Sequence, residues 1–134
     1  MIRNEARTLL LCLPILVLSA CVGAPPAQLA NEGDVQSLTV ELPPGPAYRK
    51  VVEGARACYE RMFEVTADYF PDGQGGRISA AMKTTFAMST AFVVDIAPSG
   101  TGSTVRIASH KSATGMPTNI RKWLGGDYAS CGLK

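Results

Sequence analysis

The stretch FVVDIAPSGTGSTVRI, residues 92–107, decides the fold. Phe92, Val94 and Ile96 fall on one side of an extended chain, as do Val105 and Ile107 beyond the polar, glycine-containing PSGTGS. A period of two on both sides of such a break marks a β-hairpin with one buried face. Pairing Ile96 with Val105 sets Val94 against Ile107 on that face and Asp95 against Arg106 on the other. The apolar and charged registers agree, and an opposite-charge pair across two strands contributes about 0.2–1 kcal/mol.

Upstream, Phe63, Val65, Ala67 and Tyr69 share one face, PDGQGG interrupts, and Ile78, Ala80 and Met82 resume the alternation. Setting Tyr69 against Ile78 places Glu64 opposite Lys83, which predicts a second hairpin with the same charge logic. The even-numbered apolar pattern continues from Ile78 to Ile96, but a strand that long would reach about 60 Å, so a break is expected at Lys83–Ser89. Before the strands, Tyr48, Val51, Val52, Ala55, Cys58, Tyr59 and Met62 recur at three and four residues, the mark of an amphipathic helix opening near Pro46. Gly54 costs that helix about 1 kcal/mol against alanine, which close packing on the sheet would explain. After the strands, Pro117 and Thr118 open a helix with Ile120, Trp123 and Leu124 on one face, and Gly125-Gly126 end it. The expected architecture is an α+β two-layer sandwich in the order α-β-β-β-β-α. Its four-stranded antiparallel sheet consists of two hairpins, with both helices on one face.

The N-terminal region carries a different message. Arg3 and Arg7 precede the short apolar run TLLLCLPILVLSA, residues 8–20, the layout of a secretory signal. Thirteen residues containing Pro14 are too few for a membrane-spanning helix, which needs roughly 20. Leu18-Ser19-Ala20-Cys21 resembles the lipobox of bacterial lipoproteins. With its size and its two remaining cysteines, the chain resembles small envelope lipoproteins of Proteobacteria. The lipobox implies removal of residues 1–20, a diacylglycerol on the Cys21 thiol and acylation of the new N-terminus, enough for stable membrane anchoring. Val22 in place of aspartate resembles the pattern of outer-membrane passengers facing the periplasm, with the inner membrane as the alternative.

Cleavage before Cys21 leaves 11 basic and 10 acidic residues, a balance without the clustered Lys and Arg of a nucleic-acid surface. Cys12 departs with the signal and Cys21 carries lipid, so Cys58 and Cys131 remain as an even pair in an oxidising compartment, where a disulfide is expected. Such a bridge contributes roughly 4 kcal/mol in a chain-entropy account. One histidine and no C-x-x-C give neither a zinc set nor a redox pair, and no metal or cofactor is expected. Residues 21–46, with VGAPPAQLANEGDVQ and PPGP, read as a tether reaching about 75 Å when extended. Within it Leu38, Val40 and Leu42 alternate, so residues 37–42 are a candidate edge strand. Residues 47–134 form the single domain.

The chemical candidates are few. DGQGG (72–76) and GTGST (100–104) contain the glycines of a phosphate loop, but each lies between strands, whereas a phosphate loop opens a helix. His110 stands near the end of the fourth strand beside Lys111. Ser79, Ser89, Ser103 and Ser109 are the nearest hydroxyls to consider, but none sits on a strand-turn-helix elbow. Glu60, Glu64 and Asp68 read as a solvated face rather than a carboxylate pair for glycoside chemistry. Trp123 reads as core. The outer sheet face, with Thr66, Ser79, Ala81, Val93, Ala97 and Ala108, offers small side chains to solvent or a partner. The function expected is a non-catalytic binding or scaffolding role in the envelope, with an unidentified envelope protein or cell-wall component as partner. Two alternatives remain: an inhibitor or immunity-type protein that plugs a cell-wall enzyme with Ser99, Gly100, Thr101, Gly102 and Ser103, and, with the least support, a hydrolase.

Overall fold

The computed structural model describes residues 26–133, the Glu32 side chain excepted. The signal at 1–20 and the lipidation site Cys21 lie outside the described residues. The chain is α+β: helix α1 (Pro26–Glu32), strand β1 (Asp34–Val40), helix α2 (Pro44–Tyr59), strands β2 (Glu64–Tyr69), β3 (Gly76–Lys83), β4 (Met88–Ser99) and β5 (Gly102–Ser109), and helix α3 (Met116–Leu124). The sheet is antiparallel with five strands in the order β1-β5-β4-β3-β2, one more than the four expected. The added strand is β1, which pairs with β5 from Asp34↔Ser109 to Val40↔Ser103. The candidate strand at 37–42 therefore exists, shifted three residues toward the N-terminus at its start.

The segment read as a tether is folded from Pro26 onward. Leu29 and Ala30 of α1 are buried with Val93 on the outer face of the sheet, so that face is not wholly open. Seven residues cannot hold a helix by propensity alone, and α1 is supported by docking its two buried apolar side chains on β4 and β5. Between Cys21 and the folded chain there remain only Val22–Pro25.

The hairpin of β4 and β5 has the expected register, with Ile96↔Val105, Val94↔Ile107 and Asp95↔Arg106. Its connection is two residues, Gly100-Thr101. Gly100 has φ +58° and Thr101 has a negative φ, the pattern of a type II′ turn. The first hairpin differs from expectation: Tyr69 pairs with Gly76, and Glu64 faces Ala81 rather than Lys83. The shift is two residues, so the buried face is unchanged and only the partners are exchanged. At the pairing with Tyr69 a side chain at residue 76 has no room, because its Cβ would meet the Asp68 carbonyl and the Tyr48 ring, and glycine fits there. The correct charge partners are Asp68↔Arg77, and Arg77↔Asp95 between β3 and β4.

Both α2 and α3 lie on the inner face. Helix α2 links β1 and β2, the two edges of the sheet. Its 16 residues extend about 24 Å, enough to cross five strands spaced about 4.8 Å apart. Ala47, Val51, Ala55 and Tyr59 of α2 are buried against Ile78, Ala80, Phe92, Val94, Ile96, Val105 and Ile107. Gly54 faces the other helix rather than the sheet. A Cβ there would lie 2.2–2.7 Å from three atoms of the fully buried Trp123 indole. The rings of Phe63, Phe92 and Trp123 surround Tyr59 at 6.0, 5.6 and 6.1 Å.

The C-terminal tail is fastened to the helices by the expected disulfide between Cys58 and Cys131 and by side-chain hydrogen bonds. Trp123 Nε1–H donates to the Ser130 carbonyl at 2.8 Å, and the Tyr59 hydroxyl donates to the Cys131 carbonyl at 3.0 Å. Asn119 donates to the Tyr59 hydroxyl and to the Gly132 carbonyl, and accepts from Ser130.

Gly54→Ala should lower stability by about 1–3 kcal/mol despite alanine's better helix propensity, because a fully buried indole has nowhere to move; denaturant midpoints measure it. Burial raises the Tyr59 hydroxyl above its ordinary pKa of 10.0, partly offset by the hydrogen bond from Asn119. A phenol that ionises less readily in the folded state contributes stability fully below pH 10 and loses it as pH rises through the raised folded value. Stability should therefore fall as the pH rises above 10, and Tyr59→Phe should flatten that fall.

Candidate functional site

The end of the sheet where β1 begins and β5 ends collects most of the chemistry. A β-bulge sets it up: the register shifts between Ala80↔Phe92 and Ala81↔Thr90, leaving Ala91 as the extra residue of β4. A bulge bends its strand and re-aims its neighbours. Here the Ala91 carbonyl accepts the His110 N–H at 2.8 Å, which fixes His110 just beyond β5. His110 then borders two cavities. One is a groove of about 530 Å³ between α1 and the end of β5, lined by Gln28, Leu29, Gly33, Asp34, Ser109, His110 and Lys111. The other, about 150 Å³, lies toward the helical layer among Phe63, Met82, Thr90, Ala91, Ala113 and Leu133.

The imidazole is held by a local turn. Its Nδ1 accepts the Ser112 N–H at 3.2 Å and lies 2.9 Å from the Ser112 hydroxyl. A backbone donor at Nδ1 requires that nitrogen to be unprotonated, so the neutral ring carries its hydrogen on Nε2. Among the described residues no carboxylate forms an ion pair with the ring, although Asp34 lines the same groove. The serines considered from sequence are dispersed. Ser103 donates to the Leu42 carbonyl at 2.7 Å at the opposite end of the sheet. Ser79 is buried in the middle of β3, and Ser109 is buried at the end of β5. Ser89 shares the smaller cavity with His110, and Ser109 lines the larger groove beside it. Trp123 is core, and Glu60, Glu64 and Asp68 are exposed.

The loop Ser99–Ser103 is smaller than its sequence suggests. Ser99 pairs with Gly102, and Gly102 and Ser103 are buried beside Val40 and Leu42. Only Gly100 and Thr101 project beyond the strands, a narrow tip for plugging an enzyme cleft.

On the outer face a charge row crosses four strands. Arg77 binds Asp95 bidentately, Nε to Oδ1 at 2.6 Å and Nη2 to Oδ2 at 2.9 Å. Arg106 Nη1 stands 3.9 Å from the same carboxylate, and Asp68 lies opposite Arg77. Hydrogen bonding to Asp95 raises the Arg77 pKa above its ordinary value. These side chains satisfy one another, which makes the row a register lock more than a binding surface.

No family model matches the chain, and no curated protein matches it in sequence. Among solved structures, a crystal structure of Ara h 8.0201 aligns over 72% of this chain and 96% of its own, at 11% identity and a TM-score of 0.35. That level of likeness shows neither a shared fold nor a shared role. Among the described residues no group of His, Cys, Asp and Glu is arranged to hold a metal, and no helix is long and apolar enough to cross a membrane.

The groove between α1 and β5 is not foreseen from sequence, because residues 28–34 read there as part of the tether. Nor is Ser112, two positions from the only histidine. Thr90 was not singled out either: it is fully buried, lines the smaller cavity, and its hydroxyl has no hydrogen-bond partner among the described residues. Leaving a buried hydroxyl unpaired costs about 1–3 kcal/mol. Thr90→Val, which keeps the shape and deletes the polar atom, should therefore leave stability unchanged or raise it by about 1 kcal/mol. A clear loss in thermal denaturation would show that the hydroxyl is bonded in solution.

Proposed function

We propose that this chain is a lipid-anchored protein of the bacterial envelope whose domain binds or scaffolds another envelope component without catalysis. The observation that carries the proposal is the junction between the lipobox and the fold. Leu18-Ser19-Ala20-Cys21 stands directly before a chain that is folded from Pro26, so the position for a lipid adjoins the domain. A disulfide tying the C-terminal tail to α2 agrees with an oxidising compartment, and Val22 favours the outer membrane. The partner is an envelope protein or a cell-wall component.

Binding is favoured over hydrolysis by the state of His110. Its Nδ1 is engaged in a local turn with Ser112, and among the described residues no hydrogen bond joins the ring to Ser89 or Ser109, the two serines considered from sequence that border its cavities. The inhibitor alternative is weakened by the Ser99–Ser103 turn, which exposes little more than Gly100 and Thr101.

Cys21→Ala should abolish incorporation of a labelled fatty acid and move the protein from the membrane fraction to the soluble one. A Cys21→Ala protein that still acquires label, or still sediments with membranes after a carbonate wash, would overturn the anchor. Crosslinking in the intact envelope then identifies the partner.

A further inference from the structure

The domain exposes large apolar side chains unevenly. Met62 is 63% exposed, Phe86 94%, Met82 44% and Met88 38%. All four belong to one end of the molecule. Met82 and Met88 close β3 and β4, and Phe86 sits on the turn between them. Met62 lies in the turn after α2, next to Phe63, which shares a cavity with Met82. The turn itself is firm: the Thr84 N–H donates to the Ala87 carbonyl at 2.8 Å, and the Ala87 N–H donates to the Thr84 hydroxyl at 3.1 Å. Phe86 is therefore presented on an ordered tip. A cluster of this kind on a small domain marks a contact surface.

The length of chain back to Cys21 argues for what it contacts. Five residue steps separate Cys21 from Pro26, which at full extension cover about 18 Å. Helix α1 has seven residues and is about 10 Å long. Its last turn passes through Gly33 into Asp34, which pairs with Ser109 at the same end of the sheet as the β3–β4 turn. The leash thus joins the half of the domain that carries the apolar tip. The opposite tip, Gly100-Thr101, lies a full β4 away, about 40 Å for 12 residues.

Charge separates this end from the other exposed aromatic pair. Tyr69 and Phe70 are 48% and 44% exposed, but Asp68 and Asp72 flank them, which opposes an anionic surface. Near the tip stand the exposed Arg61, Lys83 and Lys111, each suited to lipid phosphates, alongside Glu60 and Glu64. Lys83 pairs directly with Met88, so an apolar and a cationic side chain sit side by side, as an interfacial anchor requires.

We infer that the end carrying Met62, Met82, Phe86 and Met88 inserts into the interface of the bilayer that holds the Cys21 lipid, so that the domain lies against the membrane in one orientation. The inference rests on the anchor proposed above. Insertion leaves the Gly100-Thr101 tip pointing into the aqueous compartment.

The test uses the processed, full-length chain purified in detergent and reconstituted into vesicles of phosphatidylethanolamine and phosphatidylglycerol. An environment-sensitive fluorophore is attached at Phe86→Cys in one sample and at Thr101→Cys in another. Both positions are exposed turn residues whose replacement leaves the core untouched. With the inference correct, the probe at 86 shifts to the blue and is quenched by lipids carrying a nitroxide in the acyl chain. The probe at 101 is quenched only by aqueous iodide. Equal iodide quenching at both positions overturns the inference, as does a probe at 86 shielded from iodide but untouched by the nitroxide lipids, since a protein surface then covers it. Failure of the unlabelled chain to float with the vesicles is a separate result that defeats the anchor itself.

Discussion

The structure depends on how closely two helices approach at one glycine. Without a side chain at Gly54, the backbone of α2 lies flat on the Trp123 indole, and that contact fixes where α3 runs. Once the indole is seated, its N–H reaches the Ser130 carbonyl, and the chain after α3 is held across the end of α2. Tyr59 and Asn119 then bind the carbonyls of Cys131 and Gly132. Cys131 is thereby carried to Cys58, with the two Cα atoms 5.2 Å apart, inside the range a disulfide spans without distortion. The bridge and the packing hold the same two chain ends together.

What the sequence disclosed follows from how local each signal is. The β4–β5 hairpin was legible because two independent patterns, apolar alternation and opposite charge, admit a single register around a two-residue turn. In the β2–β3 hairpin PDGQGG allows several loop lengths, and the one adopted sets a glycine at residue 76, where the Asp68 carbonyl and the Tyr48 ring leave no room for a side chain. That ring comes from a helix distant in sequence, so no local pattern records it. The same holds for α1 and β1. Leu29 and Ala30 are too few to give a helical period, and a Pro- and Ala-rich composition reads as linker until the sheet supplies Val93 as a partner.

The region around His110 was hidden for a related reason. The sequence shows a histidine at the end of a strand, and its surroundings come from a bulge at Ala91, from the end of α1 and from the turn at Ser112. A bulge leaves little trace in a run such as MSTAFVV, because shifting one residue among small side chains barely changes the alternation. The disulfide, by contrast, was accessible from chemistry: of the four cysteines, the lipobox resemblance sets Cys12 and Cys21 aside, and Cys58 and Cys131 are left to pair in the oxidising compartment that it implies.

Folding of residues 26–40 changes the geometry of the whole protein. A tether of 25 residues would let the domain sample space far from the bilayer and leave its orientation undefined. With the lipid proposed at Cys21, a leash of a few residues joined to a docked helix would do the opposite, holding one end of the domain near the membrane and sending the other away. The inferred orientation would then follow from where apolar side chains remain exposed, since a domain held that close would lower its free energy by burying Phe86 and its methionine neighbours in the interface. That orientation would leave the far end for the proposed envelope partner, with the Gly100-Thr101 turn and the Tyr69-Phe70 pair, whose flanking aspartates favour a cationic counterpart.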